Sequence, residues 1–292
     1  MDIIEAHIAL PLVGVAAGIV LGFVARLNRF CTLSALERYW YSGDATGLRT
    51  WVLAATVAML ATQALAAAGL ADIRDSFYLR PYLGLTGAVF GGLMFGFGMA
   101  MVGTCAFGAV IRLGGGSLRS LVVLLTLGLA AISTQRGLMG QVRVALVDNL
   151  ALDMTEAGGQ SIPVLISRLL GVDATLAVVV LLGGGLLAWI FADPVFRRRW
   201  ASIGTGTAVG LVTRLPAGVV PVPGGALMGI GGVFAMGCTI GQGVTGFSTL
   251  ALSAPIAFAS ILLGARLGLS WMVEGSVWSM FRGRQSRHGP AE

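Results

Sequence analysis

Three cysteines, Cys31, Cys105 and Cys238, are the residues of this chain whose type and spacing could do chemistry. Gly18, Gly92 and Gly225 stand thirteen residues before each of them, and Gly22, Gly96 and Gly229 nine before, so one GxxxG pattern precedes every thiol. Thirteen helical residues rise about 20 Å, which carries each cysteine some two-thirds of the way through a bilayer. Helix-breaking or polar residues follow at once: Thr32 and Ser34, then Gly108 and Gly114-Gly115-Gly116, then Gly241, Gly243 and Gly246. This predicts thiols at helix ends or re-entrant turns, where freed backbone N–H groups can face an anion.

Thr104, Thr239, Gln242 and Ser34 place neutral hydrogen-bonding groups beside the thiols, although such residues also satisfy helix ends. A buried cysteine can serve simply as a small apolar filler; the threefold recurrence in one context argues for more than filling. Metal binding by three thiolates would want CxxC proximity or helping histidines. The two histidines, His7 and His288, stand near the termini, which excludes a histidine-based metal site or a Ser/His triad within the membrane. An odd cysteine count argues against a disulfide framework. Arg26, Arg29 and Arg112 either draw an anion to the mouth of a path or only set topology. Arg168 and Arg266 sit within apolar sequence, where a charge is costly and tends to be functional.

The elements that hold these residues must be membrane helices. The 292 residues are 56% hydrophobic and only 11% charged, against about 25% charged in soluble chains. Long apolar blocks run from Ile8 to Ala25, Trp51 to Leu70, Leu83 to Val102, Leu121 to Ile132, Ala174 to Phe191 and Leu250 to Leu267. Most approach the roughly 20 residues a spanning helix needs, and they lack the alternation of an outer-membrane barrel. The Ile8 to Ala25 block lacks a basic leader and a cleavage site, so it reads as a first spanning helix. The net charge of +6 comes from scattered arginines that form no stripe for nucleic acid. Their placement predicts cytoplasmic segments around Arg26 to Arg49, Arg112 to Arg119 and Arg197 to Arg199, with Asp72 to Arg80 and 135–159 outside. If the tail bearing Arg282, Arg284 and Arg287 is also cytoplasmic, one apolar piece after Trp200 does not cross.

The 44 glycines are about twice the usual share, as expected for close helix packing and for breaks that line a cavity. Gly92 to Gly108 runs parallel to Gly225 to Gly241, with Gly108 and Gly241 three residues after their cysteines. A fainter copy without cysteine spans Gly206, Gly210, Arg214 and Leu215. The expected fold is therefore all-α: a polytopic transmembrane helical bundle with internal pseudo-symmetric repeats and Gly-rich broken or re-entrant helices. It forms a single integral membrane domain, 1–292. Within it, 1–138 is a first repeat half, 139–200 a polar external loop with connecting helices, 201–271 an abridged second half and 272–292 a polar tail.

The strings from Gly91 to Cys105 with the following Arg112-Leu-Gly-Gly-Gly-Ser-Leu-Arg-Ser-Leu, and from Gly237-Cys238-Thr-Ile-Gly-Gln-Gly to Gly246, resemble the paired signatures of the YeeE/YedE sulfur-transport family. Arg29-Phe30-Cys31 resembles that family's first cysteine motif. The resemblance implies a multi-pass protein of the bacterial inner (plasma) membrane that takes up thiosulfate or a related sulfur anion along a path lined by the thiols of Cys31, Cys105 and Cys238. It implies a transporter with no cofactor and no catalytic residues. The family often works with a small TusA-like sulfur-carrier protein. Between Trp200 and Gly224 the chain has only a short Gly/Pro-rich connection, where many relatives carry a longer region. No GK[ST] phosphate-binding loop is present. The alternatives are a membrane thiol protein that relays persulfide sulfur to a carrier, which needs an activated cysteine such as Cys31 beside Arg29, and a structural membrane subunit.

Overall fold

The computed structural model describes residues 18–28, 30–69, 73, 76–79, 82–145, 151–154, 160–171, 174–212 and 222–274. Outside these lie the start of the first apolar block, Arg29, Arg214, Leu215 and the arginines of the tail. The described chain is a helical bundle: α1 (18–27), α2 (Thr32–Glu37), α3 (Thr46–Ala67), α4 (Gly92–Val102), α5 (Ala106–Gly114), α6 (Leu118–Arg136), α7 (Leu138–Arg143), α8 (Ile162–Leu170), α9 (Thr175–Phe191), α10 (Pro194–Arg197), α11 (Trp200–Val212), α12 (Val222–Phe234) and α13 (Ser253–Glu274). Wide π-helical turns occupy Arg38–Ser42, Gly87–Gly91 and Gly241–Gly246. Five described stretches are long and apolar enough to cross a bilayer: Gly18–Ser42, Thr46–Ala67, Gly87–Gly114, Leu118–Arg136 and Ser253–Val273. This is a multi-pass membrane protein. Leu121, Leu125, Leu129 and Ile132 form an exposed stripe along α6, which suits a face against lipid rather than water.

Two opposite faces can be told apart. On one, Arg49 pairs with Asp193 at 2.7 Å and lies over the Trp189 ring, Arg38 and Arg199 border one cleft, and the Arg26 guanidinium rests on Gly115. On the other, β1 (Tyr82–Leu83) pairs antiparallel with β2 (Leu152–Asp153), and the amides of Ile162 and Leu252 donate to Leu250 and Gln160 across an isolated bridge. Arg26, Arg38, Arg49 and Arg199 thus share one face, while β2, within the 135–159 stretch, pairs with β1 on the other.

Glycine decides how the central helices meet. Gly96 lies against the backbone of Ile261 and Ala265 on α13, and its repeat mate Gly229 lies against the backbone of Leu127 and Ala131 on α6. Gly91 and Gly231 each meet the other's carbonyl, which brings the N-terminal end of α4 against α12. A Cβ at any of these positions would overlap backbone, so only glycine allows such an approach. The pattern is reciprocal: α4 packs on α12 and on α13, while α12 packs on α4 and on α6. Gly91 meets Ala235 while Phe95 meets Gly231, so α4 runs antiparallel to α12.

After Trp200, α11 runs beside α3, Gly206 against the Thr50 carbonyl and Gly210 against Ala54. The described 13 residues of α11 and of α12 each rise about 20 Å. Segment 235–252 leaves α12 near Gly91 and returns at the face of the Ser161–Ala251 bridge, where Gln63 Nε2 also donates to the Ser248 carbonyl. It enters and turns back. Two non-glycine residues with positive φ, Met236 (56°) and Leu250 (55°), bracket it.

Candidate functional site: three thiols at helix N-termini

Each cysteine follows a helix break and opens the next helical segment. Cys105 has extended φ/ψ after the left-handed turn at Gly103, caps α5, and accepts the Gly108 amide on its Sγ at 3.3 Å. Cys238 follows the turn at Met236 and Gly237 and accepts the Gly241 amide at 3.5 Å. Cys31 caps α2 with extended φ/ψ; the Ser34 amide occupies the same place in looser geometry, without a formal cap bond. All three sulfurs thus sit where unpaired amides and the helix dipole give a partial positive charge. None is in a disulfide.

Two of the thiols meet. Cys31 Sγ lies 3.6 Å from Cys105 Sγ and 3.7 Å from Thr104 Oγ1. Gly108 leaves the room for this: a Cβ there would lie 3.1 Å from Cys31 Sγ, 3.5 Å from Cys105 Sγ and in collision with Thr104 Oγ1. Cys105 and Thr104 are fully buried, whereas Cys31 is partly open. Cys238 packs on the same core of Leu33, Leu36, Phe95, Met99 and Met228 that contains Cys105. On its outer side, the Tyr78 hydroxyl overlies Gly241, and Cys238 is the nearby group whose charge would oppose phenolate formation. Burial first, and Cys238 second, push the Tyr78 hydroxyl up to about 12, so it remains protonated.

Trp51 ties the first cysteine turn to the third. Its indole N–H donates to Thr32 Oγ1 at 3.0 Å, its ring stacks on Phe258 at 4.5 Å, and it fills the space left bare by Gly243. Thr239 and Gln242 are buried on the Cys238 segment. The Gln242 amide nitrogen donates to the Ala235 carbonyl and so spans the break between α12 and that segment, while its Oε1 has no partner among the described residues. Of the helix-break glycines, Gly92 is seated against Ser260 and Ala257 of α13, and Gly225 lies within α12. Arg266, flagged by its apolar surroundings, stacks over the Trp40 ring at 5.1 Å; Arg168 is exposed and Arg112 reaches the Gly103 carbonyl. Sequence reasoning missed Trp51, Tyr78 and Arg199, whose roles come only from long-range contacts.

The profile of the sulphur transport family matches residues 28–220 and 219–267, two pieces that meet in the short connection before α12. The chain is also similar to the thiosulfate transporter TsuA of Spirochaeta thermophila, 26% identical over 344 residues, covering 92% of this chain and 98% of that protein. The match takes in all three thiol turns, and the chain belongs to the sulphur transport family.

Proposed function

We propose that this protein carries thiosulfate inward across the bacterial inner membrane, passing it from Cys238 to Cys105 and Cys31 by hydrogen bonds without a covalent step. The observation that carries this reading is that three thiols, each at a helix N-terminus in a repeated turn, border one core, with two of them in contact. Thiosulfate is a dianion with a soft terminal sulfur. A path for it needs donors strong enough to replace part of its hydration and weak enough to release it. Neutral S–H groups backed by helix-end amides suit that need better than buried arginine, which would hold a dianion tightly. Thr104, Thr239 and Gln242 supply further neutral groups along the way, and the protonated Tyr78 stands at the outer end. Support for the cargo comes from membership of the sulphur transport family and from similarity to a thiosulfate transporter. A small TusA-like carrier in the cytoplasm is the expected acceptor.

The test is uptake of labelled thiosulfate by a bacterium lacking sulfate uptake, with the parent protein and with Cys238→Ala at equal membrane levels. Uptake by the parent and its loss in the folded variant is the expected result. Parental rates in Cys238→Ala would remove the thiol path at this position and favour a packing role.

A further inference from the structure

We infer that the cleft beside Cys31 is an anion-binding vestibule on the arginine-rich face, built for a small doubly charged oxyanion. The inference takes its cargo, thiosulfate, from the proposed function; the anion site itself rests on geometry. The cleft has a volume of about 80 Å³, room for about five waters or one such anion, and Cys31 lies in its wall. Two guanidiniums from distant parts of the chain border it, Arg38 and Arg199. Arg38 spends its Nε on the Ser34 carbonyl at 3.3 Å and lays its Nη2 over the bare Cα of Gly47. Neighbouring Arg49 is already neutralised by Asp193.

The cleft also receives the starts of two helices. Thr46 and Gly47 open α3, and Arg199 and Ser202 flank the start of α11, so both N-terminal dipole ends add positive potential. Asp44 is the carboxylate that acts on both guanidiniums, which leaves a net positive site rather than a doubly positive one. That balance suits a station that concentrates an anion without trapping it. Cys31, with Cys105 3.6 Å behind it, makes the vestibule continuous with the thiols.

The full-length protein in zwitterionic vesicles is treated from the arginine-rich side with a membrane-impermeant alkylating reagent, and modification of Cys31 is followed by peptide mass. Thiosulfate and sulfate should slow modification in the parent. Arg38→Gln and Arg199→Gln should each need about tenfold more anion, or greater, for the same protection. Asp44→Asn, which keeps an acceptor for the Thr46 amide but removes the opposing charge, should need less anion; a misfolded protein would not tighten. Modification of parental Cys31 that ignores both anions, or equal protection in the arginine variants, overturns the inference. Protection by anionic lipid alone would assign the site to a headgroup and overturn it too. If the parent takes up no thiosulfate while sulfate still shields Cys31, the proposed function fails and the vestibule stands.

Discussion

Gly108→Ala places one methyl group in the space shared by Cys31, Thr104 and Cys105. The new carbon would lie 3.1 Å from Cys31 Sγ and 3.5 Å from Cys105 Sγ, and Thr104 Oγ1 would have to rotate away. Overpacking of this kind costs about 1–3 kcal/mol, whereas alanine in a helix gains about 1 kcal/mol over glycine. The net loss of stability is therefore about 0–2 kcal/mol, and the amide that donates to Cys105 survives. Transport should fall much further, by at least about tenfold, because the methyl separates two thiols that a passing anion must reach together. Gly114→Ala is the control, since nothing lies within 4 Å of its Cβ position on the same helix; it should fold at least as well and transport normally. Labelled uptake is measured beside thermal unfolding in detergent. Parental uptake by Gly108→Ala, with the protein intact, would refute the claim that the gap between these sulfurs matters.

Mild oxidation of the parent with diamide should join Cys31 to Cys105, whose sulfurs are already 3.6 Å apart, and stop uptake until a reductant is added; peptide mapping that finds another pair instead would contradict the geometry. Tyr78→Phe should fold normally but slow uptake, and because its hydroxyl titrates only near 12, parental uptake should show no Tyr78-dependent change up to about pH 10, a profile checked in vesicles. Asp44→Ala should cost about 1 kcal/mol near neutral pH, since its carboxylate accepts the Thr46 amide at 2.9 Å at the start of α3. That bond holds the Asp44 carboxyl below its ordinary range. Its stabilisation is thus present above the unfolded pKa and lost as pH falls through the folded one, so parent and variant should converge in acid, as read by thermal unfolding.

Much of the fold was legible because glycine leaves a mark. The GxxxG before Cys105 and before Cys238 marks where a helix touches another's backbone, Gly96 on α13 and Gly229 on α6, whereas Gly18 and Gly22 before Cys31 meet nothing within 4 Å. The residue pattern marks a break at each thiol but on the wrong side: Ser34, Gly108 and Gly241 lie inside the helical segments the thiols open, and the breaks precede them at Gly103 and at Met236 and Gly237. Hidden from the sequence was which thiols touch. Spacing singles out Cys105 and Cys238 as the best-matched pair, yet the sulfur contact joins Cys105 to Cys31, because it depends on how α1–α2 docks beside α4–α5. The π-helical turns were equally invisible, since they change hydrogen-bond register and not residue type. Trp51 reads as one more apolar residue of α3 until Thr32, Gly243 and Phe258 surround it.

The glycine contacts between α4, α12, α6 and α13 also have a mechanical side. Gly264 meets the Leu93 backbone and Gly268 meets Phe97 and Ala100, so α13 is keyed to α4 along several turns as α12 is keyed to α6. Surfaces that interlock backbone on backbone resist sliding, because any shift along the axis drives a carbonyl into a Cα. The α4–α13 pair therefore resists axial sliding along those turns. The 235–252 segment is bracketed by two residues in strained backbone conformations, Met236 and Leu250.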